Sequence, residues 1–186
     1  MIEAVRRPTR RLVLLGASNL TRGMATVFET TRSFWNEPLD VMFALGNGRS
    51  YGLRTVWLGR GLPSILDCEL WRTLERSPSL PTTALITDIG NDILYHVPVP
   101  QIAEWVETAI ERLQRVGART VMTALPVCNL ANLSPARFLF FRTLFVPKCR
   151  LTLRETVDRA NQLNERLVKY VADRAIPVVA HQSAWY

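Results

Sequence analysis

Short apolar runs alternate along the chain with longer stretches of helical periodicity. The first run, Leu12 to Leu15, stands between Arg10-Arg11 and Gly16, and four aliphatic residues closed by a glycine suit a strand buried on both faces of a parallel sheet. Residues 20–34, without Pro and with one interior Gly, predict a helix. Pro38 interrupts it, and residues 39–45 form a second apolar run that leads into a loop carrying Gly46, Gly48 and Gly52. Pro63-Ser64 marks a helix start, with Ile65, Leu66, Leu70 and Leu74 at helical spacing. Residues 82–87 are a third strand, ending in Asp88-Ile89-Gly90-Asn91-Asp92. Residues 101–116 make an amphipathic helix with Ile102, Trp105, Val106, Ala109, Ile110 and Leu113 on one stripe, and Gly117 takes the C-terminal cap position. Residues 119–125 are a fourth strand. Ser134-Pro135 reads as an N-cap followed by Pro at the first helical position, and Thr152 with Glu155 forms a capping box ahead of a helix reaching about residue 174. Residues 177–180 are a fifth strand.

Five short strands separated by helices predict a three-layer α/β/α sandwich on a five-stranded parallel sheet. Right-handed crossovers and the need to cover both faces favour the flavodoxin-like order 2-1-3-4-5. The 186 residues make one domain, 1–186, with no internal repeat or low-complexity tract. Hydrophobic content of 48% against 21% charged is that of an ordinary globular chain. No apolar stretch approaches the ~18 residues that span a bilayer, so no transmembrane segment is expected, and the four apolar residues near the N-terminus are too few for a secretory signal. The expected location is the cytoplasm. Cys68, Cys128 and Cys149 cannot all pair and lack the spacing of a zinc site, so they read as buried thiols and no metal or cofactor is expected. The net charge of +7 adds a basic surface with clusters at residues 6–11 and 142–154. No nucleic-acid-binding motif accompanies it, so no specific nucleic-acid partner is expected. The pattern leaves the oligomeric state open.

Candidate chemistry gathers at the carboxyl edge of the sheet. In the order 2-1-3-4-5 the second and third strands flank the first, so the loops bearing Gly48, Ser18 and Asn91 lie side by side, with strands about 4.8 Å apart. Ser18 sits between a strand and a helix N-terminus, a place that suits either an ordinary N-cap or a nucleophilic oxygen. A serine beside several N–H donors is what acyl transfer needs, because the donors can hold the oxyanion of a tetrahedral intermediate.

Gly16-Ala17-Ser18 after the first strand, a glycine after the second and Ile89-Gly90-Asn91-Asp92 after the third resemble the motifs of the SGNH hydrolases, also called GDSL-type esterases and lipases. That family carries Gly-Asp-Ser, Gly and Gly-x-Asn-Asp at these places, and Asp-x-x-His near its C-terminus. The resemblance implies that Ser18 is the nucleophile and that Ser18, Gly48 and Asn91 form the oxyanion hole, with Gly46 and Gly52 as rivals to Gly48. The substrate it implies is a small-molecule ester. Ala17 stands where the motif has Asp, and Ile89 where it has its first Gly. Asp92 reads as a turn or cap residue rather than a catalyst.

A serine nucleophile also requires a proton acceptor. The sequence holds two histidines. His181 follows the fifth strand, about 14 Å from the first at the inter-strand spacing, and His96 lies on the correct edge between Tyr95 and Val97. Neither belongs to an Asp-x-x-His, so the resemblance implies a domain truncated before that block, a frame that continues past Tyr186, and weak activity of these 186 residues alone. The rival function is a non-catalytic ligand-binding protein on the same fold. A nucleotide-binding domain ranks lower, since neither Gly-x-Gly-x-x-Gly nor a phosphate-cradling Gly-Lys-Ser/Thr is present. Residues 138–146, rich in Phe and Leu, read as a lid or acyl-chain wall, or else as a segment packed on the core.

Overall fold

A computed structural model describes residues 7–57 and 59–181. In chain order the elements are β1 (Arg10–Leu15), α1 (Ser18–Trp35), β2 (Leu39–Ala44), β3 (Thr55–Trp57), β4 (Arg60–Leu62), α2 (Leu70–Arg76), β5 (Thr82–Ile86), α3 (Asn91–Leu94), α4 (Val99–Arg115), β6 (Arg119–Thr123), α5 (Val127–Ala131), α6 (Pro135–Phe145), α7 (Leu153–Ala172) and β7 (Val178–Val179). The main sheet runs β2-β1-β5-β6-β7 with every pairing parallel. With the small antiparallel hairpin β3–β4 set aside, this is the expected order 2-1-3-4-5.

The apolar run of β1 explains its central place. Val13 and Leu15 point into a core shared with α2, α4 and α7, while Leu12 and Leu14 point to the opposite face, where Leu20, Met24 and Val27 of α1 cover them. Side chains alternate across a strand, so consecutive aliphatic residues are needed only where both faces are covered. The stripe on α4 is fully buried at Ile102, Val106, Ala109, Ile110 and Leu113, with Trp105 partly buried against the same core. Gly117, at φ +71°, lets the chain leave α4 with its N–H on Gln114 O and that of Ala118 on Leu113 O. The Thr152 capping box forms as expected, and Ser134 accepts from the Arg137 N–H at the start of α6.

Three expectations are corrected. Of the three cysteines read as buried thiols, Cys149 is buried, Cys68 is partly exposed and Cys128 is exposed. The helix foreseen from Ser64 begins only at Leu70, because the N–H groups of Ile65 and Leu66 reach back to the Ser50 and Tyr51 carbonyls and the Ser64 hydroxyl closes a turn with Asp67. The stretch between the glycine loop and that turn holds the β3–β4 hairpin, whose three-residue strands are too short for a readable period. Among the described residues no helix is long and apolar enough to cross a membrane.

Candidate active site

The turn after β1 needs its glycine. A Cβ on Gly16 would lie 2.9 Å from Leu20 Cδ2 and 3.0 Å from Thr87 Cγ2, so α1 could not pack this closely on the β5 loop with any larger residue. Helix α1 starts at Ser18 itself, with Ala17 in the cap position and no side-chain cap of its own. The capping oxygen comes from Asp88, which adopts a left-handed φ of +57°, a region where Asp is enriched. Its carboxylate accepts from Ala17 N at 2.9 Å, from Leu20 N at 3.0 Å and from Asn19 Nδ2 at 2.9 Å. Ser18 is therefore not the N-cap. The N–H groups of Ser18 and Asn19 keep no acceptor among the described residues, and the half-buried Ser18 hydroxyl makes no hydrogen bond to any of them. An unpaired donor beside an unpaired hydroxyl at a helix N-terminus is an arrangement poised to meet a partly negative oxygen.

The glycine loop is fixed by Asp92. This residue is fully buried and accepts from the Ser50 hydroxyl and from Tyr51 N at 3.0 Å. The Ser50 oxygen in turn accepts from Gly52 N and Leu53 N at 3.1 and 2.7 Å. Burial pushes the Asp92 carboxyl up to about 6, partly opposed by the bonds from Ser50 and Tyr51. Tyr51, also fully buried, donates its hydroxyl to Thr87 O, and burial drives its pKa well upward. Asp92 thus clamps one loop to the next, a role that the expectation of a turn or cap residue missed.

The clamp sorts the three glycines. Gly52 spends its N–H on Ser50, and a Cβ there would fall 2.1 Å from Trp105 Cε2, so its smallness serves packing. Gly46 abuts Leu62. Gly48 adopts φ +67°, its carbonyl accepts from the Tyr95 hydroxyl at 2.7 Å, and its N–H has no acceptor among the described residues. Asn91 opens α3, and its side-chain nitrogen makes one long bond of 3.4 Å to Arg49 O.

Ser18, Gly48 and Asn91 line a single pocket of about 390 Å³, together with Arg22, Asn47 and Tyr95. Asn91, Leu94, Phe145 and Val146 also line a neighbouring apolar cavity of about 290 Å³, walled by Leu125, Leu130 and Phe138. A narrower crevice of about 150 Å³ runs over the ends of β5 and β6, from Asn19 and Asp88 to His181. His181 thus stands at the far wall of that crevice and does not line the Ser18 pocket, as the strand spacing requires. His96 is exposed at φ +63° and accepts the Arg150 N–H on Nε2 at 3.0 Å, so its ring fastens the loop between α6 and α7. Asp88 is the residue of this edge whose part the sequence reading left unassigned. Its signal was an Asp directly after a strand and three residues before Asn91.

No family model matches the sequence. No curated protein matches it either. Solved structures do. A psychrotrophic esterase from Pseudoalteromonas sp. is 12% identical with a TM-score of 0.52, over 93% of this chain and 77% of that one. A member of the lipolytic protein G-D-S-L family from Veillonella parvula is 15% identical with a TM-score of 0.53, over 92% and 77%. A carbohydrate acetylesterase family member from Sinorhizobium meliloti reaches a TM-score of 0.57 at 12% identity, over 91% and 82%. The chain shares the fold of these structures.

Proposed function

We propose that the protein hydrolyses carboxylic esters through an acyl-enzyme on Ser18. The observation that carries this reading is the common pocket, in which a hydroxyl, the free N–H groups of Ser18 and Gly48, and the Asn91 amide meet on one surface. Ser18 Oγ attacks the carbonyl, and the three donors hold the oxygen that becomes negative as the intermediate forms. The alcohol leaves, and water cleaves the acyl-enzyme. The apolar cavity next to Asn91 gives the acyl group a place away from water. The esterases among the solved structures of this fold support the same chemistry. A proton acceptor for Ser18 is still required. Asp92 is spent on the loop clamp and His96 on the Arg150 N–H, so the reading assigns that step to neither.

Reaction with a fluorophosphonate probe tests the assignment, since such probes phosphonylate activated serines. The wild-type protein should be labelled and Ser18→Ala should not. Labelling that survives the substitution refutes Ser18 as nucleophile. A second reading is a ligand-binding protein with no turnover, favoured by the absence of any partner for the Ser18 hydroxyl among the described residues. It expects ligand binding with no labelling of either form.

A further inference from the structure

Exposed large apolar side chains concentrate on α6. Leu139, Phe140, Phe141, Leu144 and Phe145 are 52, 63, 42, 59 and 48% exposed, while Phe138 alone on this helix is buried. Helical spacing puts Phe140, Phe141 and Leu144 on one outward face, with Arg137 one turn before it and Lys148 just beyond its end. The rings support one another, Phe140 edge-on to Phe141 and Phe141 stacked on Phe145 with centroids 6.1 Å apart. Charge along this stretch of the sequence has one sign. No Asp or Glu stands between Glu111 and Glu155, whereas Arg137, Arg142, Lys148, Arg150 and Arg154 fall in that interval. Phe141 and Phe145 also form the lip of the apolar cavity described above.

We infer that α6 is a docking surface for an anionic lipid bilayer, its outward Phe and Leu side chains entering the headgroup region and its basic flanks resting on lipid phosphates. An aromatic and aliphatic face of this length, bordered by Arg and Lys, is the composition of helices that lie in the interface plane. Each cation near an anionic surface strengthens binding by about fivefold. A second copy of the chain fits this face poorly, because antiparallel pairing of two α6 helices sets Arg137 of one against Lys148 of the other. Seated this way, the lip of the apolar cavity faces the lipid. The inference stands apart from the Ser18 reading, since binding needs no catalysis.

Co-sedimentation with vesicles tests it. The protein should partition onto mixed phosphatidylcholine–phosphatidylglycerol vesicles at least tenfold more strongly than onto pure phosphatidylcholine, with loss at high salt. Phe140→Ser with Leu144→Ser should weaken partition on the order of tenfold or more. Arg137→Gln and Lys148→Gln should each weaken it about fivefold. These side chains are exposed, so the unfolding temperatures should coincide and report that every variant folds. Equal partition onto neutral vesicles, or partition untouched by the Phe140–Leu144 pair, overturns the inference. So does sedimentation equilibrium showing a dimer that this pair dissociates, with no vesicle binding, because α6 then covers a second copy of the chain.

Discussion

On the β1–β2–β5 side of the pocket, two carboxylates four residues apart in the turn after β5 hold the neighbouring loops in place: Asp88 takes two N–H groups and an amide of the α1 turn, and Asp92 takes the Ser50 hydroxyl and the Tyr51 N–H. On the β6 side, the wall is α5 and α6, anchored by one buried side chain, Phe138, by the Ser134 cap and by Arg142 donating to Leu151 O at 2.7 Å. Hydrogen bonds are directional and costly to leave unmade, whereas apolar contact is tolerant of shape. The polar side therefore sets where atoms of a bound molecule can be held, and the apolar side sets what kind of molecule reaches it. Substitutions should divide along the same line.

The largest effect is expected on the polar side. Asn91→Ala should lower kcat on ester substrates by about 10²–10³-fold with a smaller change in KM, as for a donor used mainly in the transition state. A rise in KM at constant kcat would instead make Asn91 a recognition group. Next comes Asp92, whose carboxyl is raised from 3.8 to about 6 by burial. Between those values the folded protein binds more protons than the unfolded chain, so this group's stabilisation is full below about pH 4 and is lost as pH rises through about 6. Relative to Asp92→Asn, the wild-type protein should lose on the order of 3 kcal/mol of unfolding free energy over that interval. Urea midpoints for both proteins at several pH values measure it, and a pH-independent difference would remove Asp92 from this role. The smallest effect belongs to the apolar side. Phe140→Ser should shift stability by no more than about 0.5 kcal/mol, as for an exposed position, and a larger loss would show that α6 packs more firmly than its exposure indicates.

β1 was legible in the sequence because it is covered on both faces and so appears as an unbroken apolar run, and β2, β5 and β6 as shorter apolar segments between turn residues; the order 2-1-3-4-5 followed from handedness rules rather than from any single residue. The hairpin β3–β4 was not, since three-residue strands carry no period, and α2 was overextended because Ile65 and Leu66 keep helical spacing while their N–H groups serve the glycine loop. At the site, the juxtaposition of Ser18, Gly48 and Asn91 followed from topology. The clamps did not. Asp88 and Asp92 act on residues about 70 and 41 positions away in sequence, and no local pattern reveals which backbone groups a carboxylate will find across a fold.

The cap on α1 has a consequence for how the protein comes into being. The Ser18 turn leaves the ribosome about 70 residues ahead of Asp88, which follows β5 and supplies the oxygen that shapes it. Until β5 has docked beside β1, two of the helix's leading N–H groups have only water to bond, and Ser18 has no fixed direction. An N-terminal fragment ending before Asp88 should thus be as unreactive at Ser18 as the unfolded chain. Under the proposed acyl-enzyme reading, reactivity at Ser18 therefore waits on the third parallel strand.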